Sequence, residues 1–150
     1  MVTTKTESSD QLVELGGRLR LAIVRMARRL RQEAGTDLSP SQASALATLD
    51  RSGPLTPSEL AERERIQRPT ATRVISRLEE AGLAERTADA ADGRSHLLST
   101  TARGTALLRR LRGRKNAYLA RRMRELEPEE VAVLADAAEI LERLLEGERR

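Results

Sequence analysis

The segment Arg68 to Gly82, RPTATRVISRLEEAG, carries the residues best suited to chemistry in this chain. Thr70, Arg73 and Arg77 fall at steps of three and four, with Thr72 and Ser76 alongside, so they share one face of a helix. Val74, Ile75, Leu78 and Ala81 share the opposite face. No acid occurs between Ile66 and Leu78. Arginine bridges guanine edges and phosphates through paired hydrogen bonds. Small hydroxyl side chains let a helix come close to such a partner, and a carboxylate there would be repelled by phosphate. This face suits recognition of a polyanion. A merely solvated helix surface is the alternative, and the surrounding elements must decide.

Little else could support catalysis or hold a metal. The chain has 150 residues, no cysteine and one histidine, His96. That excludes a thiol nucleophile or redox switch and leaves too few ligands for a zinc site. No Ser/His/Asp set, phosphate-cradling glycine loop or paired carboxylates can be placed. Neither an enzyme nor a cofactor is expected. No apolar run approaches the ~20 residues of a membrane span, and no signal-peptide pattern opens the chain. A cytoplasmic protein without a membrane partner is expected. With one Tyr and no Phe or Trp, the core must be built from Leu, Ala, Val, Ile and Met, a mixture that favours helices.

Net charge is +4, and 25 of the 27 cationic residues are arginine. Arg and Ala richness can reflect a GC-rich genome, so distribution matters more than the total. From Gly93 to Arg124 there are ten Arg or Lys and no acid. From Glu125 to Arg150 there are nine acids and three arginines. A polyanion-facing part followed by a separate assembly part fits this asymmetry. Alternatively, Arg109 to Arg124 pair with the acidic last helix, the preferred reading for Arg121, Arg122 and Arg124.

The elements that position the basic face follow from periodicity and caps. Residues 1–9 are polar and expected to be disordered. Leu12, Leu15, Leu19, Ile23, Met26 and Leu30 form one stripe of a helix over 10–34. Gly16 and Gly17 inside it would be explained by close helix packing. Ser39-Pro40 with Gln42, and Thr56-Pro57 with Glu59, are two successive helix starts with capping boxes. Ala43, Leu46 and Leu49 are the expected buried stripe of the first, Leu60 and Ala61 of the second. Leu83 to Thr87 and His96 to Thr100 read as a hairpin around a polar turn. A long helix follows from Thr101, interrupted at Gly113. A last helix opens at Pro128, with Val131, Leu134, Ala138, Leu141 and Leu145 as a seam for another helix.

The short helix after Thr56 and the Arg-faced helix make a helix-turn-helix, and the hairpin makes it winged. Here the sequence resembles the MarR family of winged helix-turn-helix repressors. The likeness covers about residues 10–147. It is carried by Thr72-Arg73, by Leu78-Glu79 with Gly82-Leu83, by Arg86, by Asp92-Gly93-Arg94 and by Thr101 with Gly104.

That resemblance implies a mainly α fold with a small β-hairpin wing: a winged helix-turn-helix lobe over about 38–101 and a helical dimerisation lobe of about 10–34 and 102–147. It implies a homodimer on double-stranded DNA, with Leu12, Leu15, Leu19, Leu119 and Met123 joining the C-terminal seam at the interface. Arg94 would enter the minor groove from the wing, held by Asp92. Gln67, Arg68 and Arg86 join the DNA-contact set, and Thr56 and Ser58 can reach phosphate from a helix start, though each is first a capping residue. His96 is expected to be an ordinary hairpin side chain. A small-molecule effector pocket between the lobes is also implied, and Met26, Leu46 and Leu107 could border it or simply be core. The competing function is a helical protein-interaction module without specific DNA binding, which explains the seam but not the wing motif.

Overall fold

The computed structural model describes residues 3–88 and 96–146. Its elements are α1 (Thr3–Ala34), α2 (Pro40–Ser52), α3 (Pro57–Arg63), α4 (Arg68–Glu80), β1 (Ala84–Ala88), β2 (His96–Thr100), α5 (Ala102–Met123) and α6 (Pro128–Glu146). The two strands pair antiparallel, from Ala84 opposite Thr100 to Ala88 opposite His96.

Both capping boxes form. The Ser39 hydroxyl accepts from the Gln42 N–H at 3.2 Å, and the Gln42 side chain accepts from the Ser39 N–H at 2.8 Å. Thr56 and Glu59 repeat the exchange at 3.2 and 2.7 Å. The Thr56 backbone N–H, and then its hydroxyl, hold the Glu59 carboxyl below its ordinary value. Its contribution to the start of α3 is therefore present at neutral pH and lost as pH falls through the carboxylate range.

The core lies in the lobe built from α2, α3, α4 and the hairpin. Leu46, Leu49, Leu60, Ile75, Leu78 and Leu98 are its largest fully buried side chains, each worth about 1.5–3 kcal/mol by transfer from water. Leu98 also ties in the segment before α3. Its N–H donates to the Leu55 carbonyl at 2.7 Å and its carbonyl accepts from Leu55 at 3.1 Å, a short bridge outside the hairpin. The buried face of α2 is Ala45, Leu46, Thr48 and Leu49, with Ala43 only half-buried.

Several boundaries differ from expectation. α1 begins at Thr3, so residues 3–9 continue the helix in place of a disordered arm. Once a long helix is nucleated, each further residue adds a hydrogen bond at little cost. Gly113 lies inside an unbroken α5, because well-formed helix on both sides outweighs the ~1 kcal/mol glycine penalty. Among the described residues, nothing beyond the helix's own backbone lies within 4 Å of where a Cβ would stand at Gly16 or Gly17, so no close helix packing within the protomer explains them.

Polar contacts from α5 join it to α2 and α1. Asp50 accepts from the Thr105 hydroxyl at 2.8 Å and pairs with Arg112 at 3.4 Å. Arg114 donates to the Ala34 carbonyl at the end of α1 at 2.9 Å. Tyr118 is flanked by the Arg29 and Arg121 guanidiniums, 5.7 and 5.6 Å from its ring centre. Among the described residues, Arg121, Arg122 and Arg124, for which pairing with the last helix is the preferred reading, form no ion pair with α6. Arg122 pairs with Glu125, three residues on, and α6 buries no residue.

Candidate nucleic-acid interface

α3 and α4 are joined by a tight turn in which Arg65 has φ +52° and Ile66 tucks half-buried against the core. Gln67 holds the N-cap position of α4 without a side-chain capping bond. Ala71, Val74, Ile75 and Leu78 then bury the inner face. Thr70, Thr72, Arg73 and Arg77 are exposed on the outer one, with Ser76 half-buried beside them. The hydrophobic pattern thus turns the basic, hydroxyl-rich face outward.

The outer side chains differ in how committed they are. Arg73 forms no ion pair among the described residues, and neither does Arg68. Arg77 pairs with Glu80 at 3.3 Å, but both side chains are about two-thirds exposed. Such a pair is worth at most about 1 kcal/mol and yields readily to a phosphate. The Thr72 hydroxyl donates to the Arg68 carbonyl at 3.0 Å, which leaves its oxygen as an acceptor. Thr56 is more tightly held, because its hydroxyl serves the Glu59 N–H and carboxylate. Ser58 beside it is exposed.

Ser39, Ser41 and Gln42 at the start of α2 share a shallow depression of about 230 Å³ with Thr70, Arg73, Val74 and Arg77. By sequence, Ser39 is only a cap. Its capping box marked a helix start, and only the fold puts that start against α4.

Arg86 is engaged within the fold. Its Nε and one terminal nitrogen each donate to a Glu79 carboxylate oxygen at 3.1 Å. In the protein without DNA, this guanidinium ties β1 to the end of α4. The two side chains are 36% and 29% exposed, so solvent screens the pair only in part. Replacing Glu79 or Arg86 by Gln should each weaken DNA binding, and the double variant should lose little more than either single one. A coupling of about 0.5–1 kcal/mol is expected from thermal unfolding and gel shift together. Additive losses in binding with unchanged stability would return Arg86 to direct DNA contact.

The wing is anchored at its base. Gly82, at φ +67°, ends α4 with its N–H on the Glu79 carbonyl and the next N–H on the Leu78 carbonyl, a turn that needs a left-handed residue. The Thr101 hydroxyl donates to the Gly82 carbonyl at 2.8 Å and accepts from the Gly104 N–H at 3.1 Å. A Cβ at Gly104 would run into the Leu83 carbonyl oxygen and the Thr100 methyl. Gly104→Ala should therefore cost about 1–3 kcal/mol by overpacking and weaken DNA binding as the hairpin shifts. A thermal midpoint equal to the wild type would contradict this anchoring. Asp92 and Arg94 lie outside the described residues, whereas both strands leading to them are described. His96 is exposed at the start of β2.

The three pocket candidates are not brought together. Leu46 is fully buried core. Met26 lies on an exposed apolar stretch of α1 with Ile23 and Leu30. Leu107 alone borders a cleft between the lobes, of about 380 Å³, where the loop after α1 meets Leu83 and the Arg103 and Arg110 side chains.

Among the dimerisation candidates, Leu12, Leu15, Leu19, Met123, Val131, Leu134 and Leu145 are exposed, as is Ala138, while Leu119 and Leu141 are half-buried. Exposed Val13, Leu21, Val24, Val133, Ile140 and Leu144 add apolar surface beyond the predicted stripes.

Residues 38–96 match the family model described as the MarR family. The chain is 37% identical over 133 residues to an HTH-type transcriptional regulator of Mycobacterium tuberculosis, covering 88% of this chain and 93% of that one. The crystal structure of a transcriptional regulator protein from Pseudomonas aeruginosa superposes with a TM-score of 0.81 at 35% identity, over 91% of this chain and 97% of that one. A MarR family protein from Bacillus stearothermophilus shares the fold, with a TM-score of 0.78 at 22% identity, over 91% and 96% of the two chains. With the α3–α4 unit, its outward basic face and the hairpin wing in place, the chain belongs to the MarR family of winged helix-turn-helix transcriptional regulators, which are DNA-binding proteins and not enzymes.

Proposed function

We propose that this regulator is a cytoplasmic repressor that binds a pseudo-palindromic operator as a homodimer. α4 enters the major groove, where a helix fits and each base pair presents a distinct pattern. The observation that carries this reading is the outer face of α4, with Thr70, Thr72, Arg73 and Arg77 exposed and no acid before Glu79. Gln67 and Arg68 open α4, Ser76 lies beside this face, and Ser58 is exposed at the start of α3. The hairpin strands follow α4 directly, and Arg94, which falls between them in the sequence, is assigned to the narrow, negative minor groove.

Exposed apolar surface supports the dimer. Leu12, Val13 and Val24 of α1 and Val133, Leu144 and Leu145 of α6 are each more than half exposed. Isolated soluble proteins rarely leave contiguous patches of that kind open. A second copy covering residues 10–34 and 102–147 removes them from water. No helix among the described residues is long and apolar enough to cross a membrane. The cleft beside Leu107, with Arg103 and Arg110 on its wall, suits a small effector whose binding shifts the lobes and releases DNA.

A salt series on genomic fragments selected by the protein tests the reading. For 6–10 phosphate contacts, affinity should fall by roughly 10³–10⁵ between 50 and 200 mM salt. Flat salt dependence would instead support a helical protein-interaction module.

A further inference from the structure

We infer that Arg65, in the turn between α3 and α4, is a DNA phosphate contact that holds the start of the recognition helix against the backbone. The inference rests on the reading of α4 as the DNA-reading helix. Four described residues have positive φ, and three of them are glycines: Gly35, Gly53 and Gly82. Arg65, at φ +52°, is the exception. Glycine adopts this conformation without penalty, whereas a residue with a Cβ is strained by contact with its own backbone. Strain retained at an exposed turn, where glycine would fit better, points to use of the side chain.

The fold itself does not use that side chain. Arg65 is exposed. Among the described residues no hydrogen bond or ion pair engages its guanidinium, although its neighbours are engaged. Arg63 donates to Ser52 at 2.9 Å, and the Glu64 carboxylate accepts from the Thr48 hydroxyl at 2.6 Å. The acid adjacent in sequence is thus occupied by α2. Arg65 stands two residues before Gln67, the N-cap of α4. The N-terminal residues of a recognition helix are the ones that contact base edges, so the turn leading into them runs beside the phosphates. A charged side chain there grips the backbone without reading sequence.

Arg65→Gly is a clean test, because glycine keeps the turn. Its thermal midpoint should equal or exceed the wild type. Its dissociation constant should rise on the order of tenfold on operator and non-operator DNA alike. The slope of log affinity against log salt should fall by about 0.9 for each Arg65 removed. Arg65→Lys should keep most of the slope, and Arg73→Ala serves as the interface control. If Arg73→Ala loses affinity while Arg65→Gly binds with wild-type affinity and slope, the inference is overturned and the reading of α4 stands. Wild-type binding by both variants overturns that reading and the inference with it.

Discussion

Arg73→Ala is expected to weaken operator binding by about 1–3 kcal/mol for each copy in the complex, and to relax the base preference at one position of each half-site. Arg73 is exposed at the middle of the outward face of α4, without an ion pair among the described residues. Its loss leaves the folded protomer nearly unchanged, since the buried face is carried by Ala71, Val74, Ile75 and Leu78. Substitutions at such exposed positions usually shift stability by no more than about 0.5 kcal/mol. Thermal unfolding and a gel-shift titration separate the two effects. An unchanged midpoint with weakened binding supports the assignment. Unchanged affinity at physiological salt would remove Arg73 from the interface. Arg77 should show a smaller effect, because its pair with Glu80 must be exchanged for the phosphate or base.

The second large effect is expected at the far end of the chain. Leu145 is 65% exposed on α6, which buries no residue of its own protomer. Leu145→Asp should therefore not disturb an isolated protomer. In a dimer that covers α6, the same change puts an uncompensated carboxylate into an apolar contact, at a cost of several kcal/mol. Light scattering should show monomers at concentrations where the wild type is dimeric. Operator affinity should collapse with it, because one α4 then grips one half-site without the second. A dimer that persists would move the interface away from α6, leaving the apolar surface of α1 to account for assembly.

Much of this architecture was legible because it is local. Ser39 with Gln42, and Thr56 with Glu59, announce two helix starts within three residues each, and both boxes form. The outward face of α4 follows from helical spacing alone. The hairpin was placed to within one residue, with β1 at Ala84–Ala88 in place of 83–87. Less was legible where partners are distant in sequence or where a signal is missing. Arg112 and Asp50 are 62 residues apart, and nothing in either neighbourhood marks the pair. Arg86 shows the limit at short range. Its place in the family motif puts it in the DNA-contact set, and nothing in the sequence marks its pair with Glu79. Leu46 and Leu107 looked alike as apolar helix residues, yet one fills the core and the other borders a cleft. The start of α1 was missed because Thr3 to Ser9 carry no stop signal, so the helix runs on. Nothing in the sequence marks Arg65, because a positive φ is a property of the folded backbone and no glycine stands in that turn.

Two copies of α4 that read two related half-sites leave a paired signature on DNA. Hydroxyl-radical footprinting on a genomic fragment selected by the protein tests it most directly. Two protected half-sites with two-fold related patterns are expected, centred about one helical turn, roughly 10 bp, apart. Arg73→Ala should weaken both equally. A single protected half-site, or protection spread evenly along the fragment, would rule out two-fold reading of DNA by paired α4 helices.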